Sequence, residues 1–176
     1  VSEIARAVKS GAVRSVEVLD AFFARIDAVN PVLNALVQSN RALAYQEAQW
    51  IDAHRDRVQD LALPGVPFTV KNTCAVRGYA PDKGCQGLAN RPSEADATVV
   101  ARLRAQGAVV LGLTNTPELS IGYETDNLLY GRTCNPFDPA RSPGNRTGKA
   151  RAATCRVDRR PDAPGRLVRH CRTAAA

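Results

Sequence analysis

In the first third of the chain the apolar residues recur at helical spacing. Ile4, Ala5 and Val8 share one face of a short segment that Ser2 is placed to cap and Gly11 to end. Val18, Leu19, Phe22, Phe23 and Ile26 repeat at i, i+3 and i+4. That predicts a second helix, opened by Ser15 and stopped at Asn30-Pro31. Ala35-Leu36-Val37 reads as a short strand. A third helix is predicted over 41–57, with Leu43, Ala44, Ala48 and Ile51 inward and Gln46, Gln49 and Asp56 facing water.

The pattern then shifts to short apolar runs. Pro64-Gly65 makes a turn into a strand, Val66 to Lys71. A Gly- and Pro-rich loop follows from Asn72 to Pro92. Ser93 to Asp96 resembles a capping box and predicts a helix that carries Val99, Val100 and Leu103 and closes at Gly107. Ala108 to Leu113 is a near-continuous apolar run, the mark of a strand covered on both faces. Strand, helix and strand in that order predict one βαβ-like unit with a right-handed crossover. Residues 114–144 have little periodicity and many polar and turn residues. They read as a long ordered loop, which in a compact domain is more often functional than idle. The class is α/β.

A length of 176 residues fits one domain with a real core. No apolar run approaches the roughly 20 residues of a membrane span. The opening Val1-Ser2-Glu3-Ile4 has no basic stretch leading into an apolar one, so a cytoplasmic chain without a secretory leader is expected. The net charge of +7 changes meaning once it is located. Residues 1–144 hold 15 basic and 15 acidic side chains, whereas residues 145–176 hold 9 basic and 2 acidic. Two regions follow: a balanced part, 1–144, and a basic tail, 145–176, rich in Arg, Ala and Pro and expected to be disordered. The five cysteines form no C-x-x-C pair and His54 and His170 lie far apart, so neither a disulfide framework nor a metal site is expected.

Three ordered blocks carry a resemblance. The first is Gly65-Val66-Pro67-Phe68-Thr69-Val70-Lys71. The second runs from Asp96 to Leu103, through Gly107 to Gly112, to Thr114-Asn115-Thr116-Pro117-Glu118. The third is Gly122-Tyr123-Glu124-Thr125-Asp126-Asn127, then Tyr130-Gly131-Arg132-Thr133 and Asn135 to Gly144. Together they resemble the amidase-signature family over residues 1–144, far more specifically than any single motif. The resemblance implies an amidase-signature fold, a mixed sheet flanked by helices. It would be present only as its amino-terminal part, with apolar faces uncovered and marginal stability. It also implies hydrolysis of a small-molecule carboxamide to acid and ammonia or amine by a Ser–Ser–Lys triad, without metal or organic cofactor.

Lys71 is the counterpart of the family's lysine. A serine must be activated by a base to attack an amide, and an amine serves as that base only when neutral. An apolar strand leading into Lys71 makes burial there expected. Asn115, Glu118, Tyr123 and Asp126 are candidates to line a substrate pocket, or to satisfy loop backbone groups. Arg132 and Arg141 are expected to meet carboxylates or loop carbonyls, and Cys74 and Cys85 to pack. After Gly144 the resemblance breaks. Arg146 stands at the register of the bridging serine, and a guanidinium does not deprotonate in proteins. Residues 150–176 contain no serine. This chain is therefore expected to be inactive alone, its tail a shifted reading frame or junction.

Two other readings use the same residues. One is the A subunit of the tRNA-dependent amidotransferase, which usually carries an acidic residue where Pro117 stands. The other is a non-catalytic protein that binds nucleic acid or a partner through the basic tail. The tail has no aromatic residue for base stacking, which argues against specific single-strand recognition. Oligomeric state is left open.

Overall fold

The computed structural model describes residues 1–143, together with the strand pairs 156–157 and 171–172. Four helices and three strands form the main body: α1 (Ser2–Lys9), α2 (Ser15–Leu33), β1 (Leu36–Gln38), α3 (Arg41–Ala53), β2 (Pro67–Lys71), α4 (Thr98–Ala105) and β3 (Val109–Thr114). The sheet order is β1-β3-β2. β3 runs antiparallel to β1 and parallel to β2, so the sheet is mixed and β2–α4–β3 is the expected βαβ unit. β4 (Arg156–Val157) pairs antiparallel with β5 (Cys171–Arg172). The expectation of disorder for the rest of 145–176 lies outside the described residues.

β3 is buried at all six positions because both faces are covered. Val109 and Leu111 join a cluster with Val18, Leu19, Phe23 and Ile51 of α2 and α3. Val110 and Leu113 join a second cluster with Val70, Val76, Tyr79 and Val100. Strict alternation would put Leu113 on the side of Leu111. A bulge prevents it: Phe68 pairs with Val110 but Thr69 with Gly112, so β3 carries one extra residue there.

Several boundaries differ from the sequence reading for local reasons. Ser2 lies inside α1, whose cap position is Val1. α2 is capped from a distance. The Asp52 carboxylate of α3 accepts the N–H groups of Ser15 (2.6 Å) and Val16 (3.2 Å), while Glu17 accepts that of Arg14 (2.9 Å). α2 also runs through Pro31, which falls in its last turn and forfeits only one hydrogen bond. It ends instead at Asn34, whose left-handed backbone lets its N–H reach the Asn30 carbonyl at 2.7 Å. α3 stops at Ala53, four residues early, where His54 turns its Nδ1 back to the Trp50 carbonyl at 2.8 Å. α4 has no capping box. Asp96 instead accepts the Arg77 N–H (2.7 Å) and pairs with Arg104 (2.9 Å), and Gly107 closes the helix at φ +84° as expected.

The Asp52 cap gives a first prediction. Asp52→Ala leaves two N–H groups at a buried helix start without acceptors, Ser15 being fully buried. A loss of about 1–2 kcal/mol is expected, read as a lower urea midpoint with unchanged m-value.

Apolar side chains remain uncovered chiefly in the loop 114–143, where Leu119, Ile121, Tyr123, Leu128 and Phe137 are all exposed. Among the described residues no helix is long and apolar enough to cross a membrane.

Candidate active site

The parallel strands β2 and β3 end side by side. Lys71 is the last residue of β2, and its register partner Thr114 is the last of β3. The carboxyl edge of a parallel pair is where α/β sheets place their ligands. Lys71 is half-buried, less enclosed than its apolar strand leads one to expect. The reason is topological: β2 is the outer strand of the described sheet, so one flank of Lys71 has no neighbour strand. Among the described residues no carboxylate pairs with its ammonium group. Just beyond it the chain turns sharply, with the Lys71 carbonyl accepting the N–H groups of Thr73 (2.6 Å) and Cys74 (3.0 Å).

The next residue anchors this turn. Asn72 is fully buried, and its Nδ2 donates to Asp82 Oδ1 at 2.7 Å. Asp82, also buried, accepts the Gly84 N–H (2.8 Å), Gln38 Nε2 (2.9 Å) and the Tyr130 hydroxyl. Gln38 completes the link by donating to the Ala80 carbonyl and to the Tyr130 hydroxyl. Strand β1, the loop after Lys71 and the loop after β3 thus meet on one carboxylate. Asn72 Oδ1 stays buried without a partner. Sequence reasoning misses Gln38, Asn72 and Asp82. The only available signal is Asp82-Lys83-Gly84, in which Asp82 bonds the backbone two residues on, as Asx turns do.

Burial, followed by the hydrogen bond to Asp82, pushes the Tyr130 phenol from 10.0 up to about 12. The unfolded chain therefore releases this proton first. Stability from this group is complete below pH 10 and is lost as the pH rises toward 12. Urea midpoints across that window should fall more steeply for the wild-type chain than for Tyr130→Phe. Parallel curves would contradict the assignment.

Of the other candidates, Asn115 lies beside Lys71's register partner and is buried. Its amide is fully engaged in the loop. Nδ2 donates to the Gly131 carbonyl (2.9 Å) and Thr133 Oγ1 (3.0 Å), and Oδ1 accepts the Thr116 N–H (2.9 Å) and Asn127 Nδ2 (2.8 Å). Glu118, Tyr123 and Asp126 are exposed farther along the same loop. Leu119 and Ser120 between them adopt left-handed backbone angles, an uncommon state for such residues. They are held there by the Leu119 N–H on the Lys83 carbonyl (2.8 Å) and by Thr116 Oγ1 against Ser120 Oγ (3.1 Å). Arg132 donates to the Pro139 and Ala140 carbonyls and Arg141 pairs with Asp138, as expected of them. Cys74 packs against the second core cluster. Among the described residues no group of three His, Cys, Asp or Glu side chains could hold a metal ion.

The family model for amidases matches residues 17–148 of this sequence. The chain belongs to the amidase family. It is 39% identical to an acylamidase of Rhodococcus erythropolis over 86% of its own length and 32% of that protein. It is 37% identical to the A subunit of the glutamyl-tRNA(Gln) amidotransferase of Streptomyces avermitilis, over 86% of its own length and 30% of that one. Its structure superposes on a bacterial aryl acylamidase of the amidase-signature family with a TM-score of 0.78 and 28% identity, over 85% of this chain and 32% of that one. The chain thus spans about a third of the length of the curated amidases it matches. The incomplete mixed sheet with its flanking helices is the amidase-signature fold expected from the sequence.

Proposed function

We propose that this chain carries the lysine-bearing amino-terminal part of a carboxamide hydrolase, with Lys71 as the base of a Ser–Ser–Lys triad. The reading rests on one observation above others. Lys71 ends β2 at the carboxyl edge of the parallel pair, half-buried and without a carboxylate partner among the described residues. An ion pair would hold a lysine in place as a cation, whereas Lys71 is left free to meet a hydroxyl. In the reaction the lysine takes a proton through a bridging serine from the nucleophilic serine, which attacks the amide carbonyl. The lysine returns that proton through the bridging serine to the departing nitrogen, ammonia or an amine leaves, and water then releases the acid from the acyl-serine. The buried network around Asn72 and Asp82 fixes the backbone beside Lys71. Asn115 orders the neighbouring loop, and Glu118, Tyr123 and Asp126 are exposed side chains of that loop that an incoming amide could meet.

Both serines must come from outside this sequence. Arg146 occupies the bridging register, and residues 150–176 hold none. We therefore read 1–144 as the amidase part and 145–176 as a separate basic segment. Sequencing the gene across codons 140–176 tests the junction. A cytoplasmic location belongs to the same reading, since five cysteines without a close-spaced pair do not read as the disulfide framework of a secreted chain.

The second reading, the A subunit of an amidotransferase, has support in the relatives of that name. Pro117 weighs against it. That position is buried, and an acidic side chain placed there would need a partner.

The function is tested on two proteins. The chain alone should hydrolyse an aryl anilide no faster than buffer. Residues 1–143 joined to the remaining two-thirds of a related acylamidase should hydrolyse it with turnover. Hydrolysis by the isolated chain would overturn the assignment of the serines.

A further inference from the structure

At the end of β3 opposite Lys71, a cleft of about 580 Å³ opens between α3, the connection that follows it and the end of α4. That volume lies within the ~300–1,000 Å³ of small-molecule sites. The cleft is lined by Gly107 and Ala108, which precede β3, whereas Lys71 pairs with Thr114 at its far end. Its apolar wall is formed by Leu43, Ile51 and Leu61. Trp50 stands at the rim, 48% exposed, with its ring stacked on His54 at 4.6 Å between centroids.

The polar wall is unevenly balanced. Arg104 is held by Asp96 at 2.9 Å and Glu47 at 3.2 Å, with its side chain only 11% exposed. Arg57 and Arg77, both exposed, also line the cleft and pair with no carboxylate among the described residues. The cleft therefore carries more positive than negative charge. Beneath the rim, Arg104 Nη2 meets Glu47 as an ion pair but not at hydrogen-bonding angles. Arg104 Nε and Glu47 Oε2 are likewise buried without hydrogen-bond partners, although Arg104 Nη1 donates to both Asp96 oxygens and Glu47 is hydrogen-bonded by the Val110 backbone, so the polar floor is only partly satisfied by the chain itself.

We propose that this cleft binds a small aromatic carboxylate, its ring against Trp50 and the apolar wall and its carboxylate on the guanidinium groups of Arg57 and Arg77. Guanidinium and carboxylate match in a two-point, charge-assisted hydrogen bond. An indole edge with an apolar floor accepts a flat ring in offset or edge-on contact. A neutral amide of the same shape lacks the charge that the two arginines require.

Trp50 is the chain's single tryptophan, so its fluorescence reports on this cleft. Phenylacetate is titrated into the full chain, with phenylacetamide and acetate as controls. The expected result is a saturable change in Trp50 emission with phenylacetate and binding at least about tenfold weaker for both controls. Arg57→Ala or Arg77→Ala should weaken phenylacetate binding about tenfold. Both side chains are exposed, so neither substitution disturbs the core, and Lys71→Ala should leave the titration unchanged. No saturable change, an equal response to phenylacetamide, indifference to both arginine variants, or loss of binding in Lys71→Ala would each overturn the proposal.

Discussion

Gly112→Ala should unfold the chain or come close to it. A Cβ placed on Gly112 would lie 2.1 Å from the carbonyl oxygen of Gln38, a backbone atom of the neighbouring strand that no rotamer change can move. The contact arises from the bulge in β3. The extra residue brings Gly112 against β1, where the pairing is also irregular between Leu36 and Gln38. Relief would require β1 to separate from β3, the strand on which both core clusters rest. It would also displace Gln38, whose side chain ties β1 to Asp82 and Tyr130. We expect a loss of about 3 kcal/mol or more, against total stabilities of about 5–15 kcal/mol for ordinary domains. Gly87→Ala is the control. The nearest atom to its added Cβ is the Cys85 sulfur at 4.0 Å, an ordinary contact, and its urea midpoint should change by no more than about 0.5 kcal/mol in equivalent stability.

The contrast between these two glycines marks what the sequence makes legible. Helices α1 to α3 and the all-buried strand β3 are readable because each is written in the period of its own residues. The three blocks ending at Lys71, Glu118 and Gly144 are readable for a different reason, their combined order. What escapes are interactions between residues distant in sequence. Asp52 caps a helix that starts 37 positions earlier, which makes Ser15 look like the cap. Gln38 and Tyr130, 92 positions apart, share a hydrogen bond, and nothing in either segment marks the partner. The bulge at Gly112 sits inside a run that reads as a regular strand. Asn115 looks equally suited to substrate or scaffold, and its four loop hydrogen bonds emerge only when Gly131, Thr133 and Asn127 are brought to it. The partial exposure of Lys71 is hidden because an apolar strand reports burial along its length, not whether it has a neighbour on its outer flank.

The second large effect concerns that lysine. With residues 1–143 completing a related acylamidase, Lys71→Ala removes the proton acceptor proposed for the carboxyl edge of β2 and β3. Loss of one member of a serine–base unit lowers turnover by about four orders of magnitude or more. Lys71→Arg should be no better, because a guanidinium keeps the charge and cannot accept the proton. A lysine serving only as a positive charge would be rescued by arginine, so the pair of variants separates base from cation. Substrate affinity should change far less than turnover, since in the proposed mechanism Lys71 would act on the serines and not on the amide.

The decisive measurement is the rate of aryl anilide hydrolysis by this chimera, with the unaltered Lys71 form, Lys71→Ala and Lys71→Arg compared at equal folded concentration. Turnover is expected with the lysine in place, and a fall of about 10⁴-fold with either replacement. Activity within about tenfold of the parent in Lys71→Ala, or recovery of it in Lys71→Arg, would contradict the assignment of Lys71 as the base.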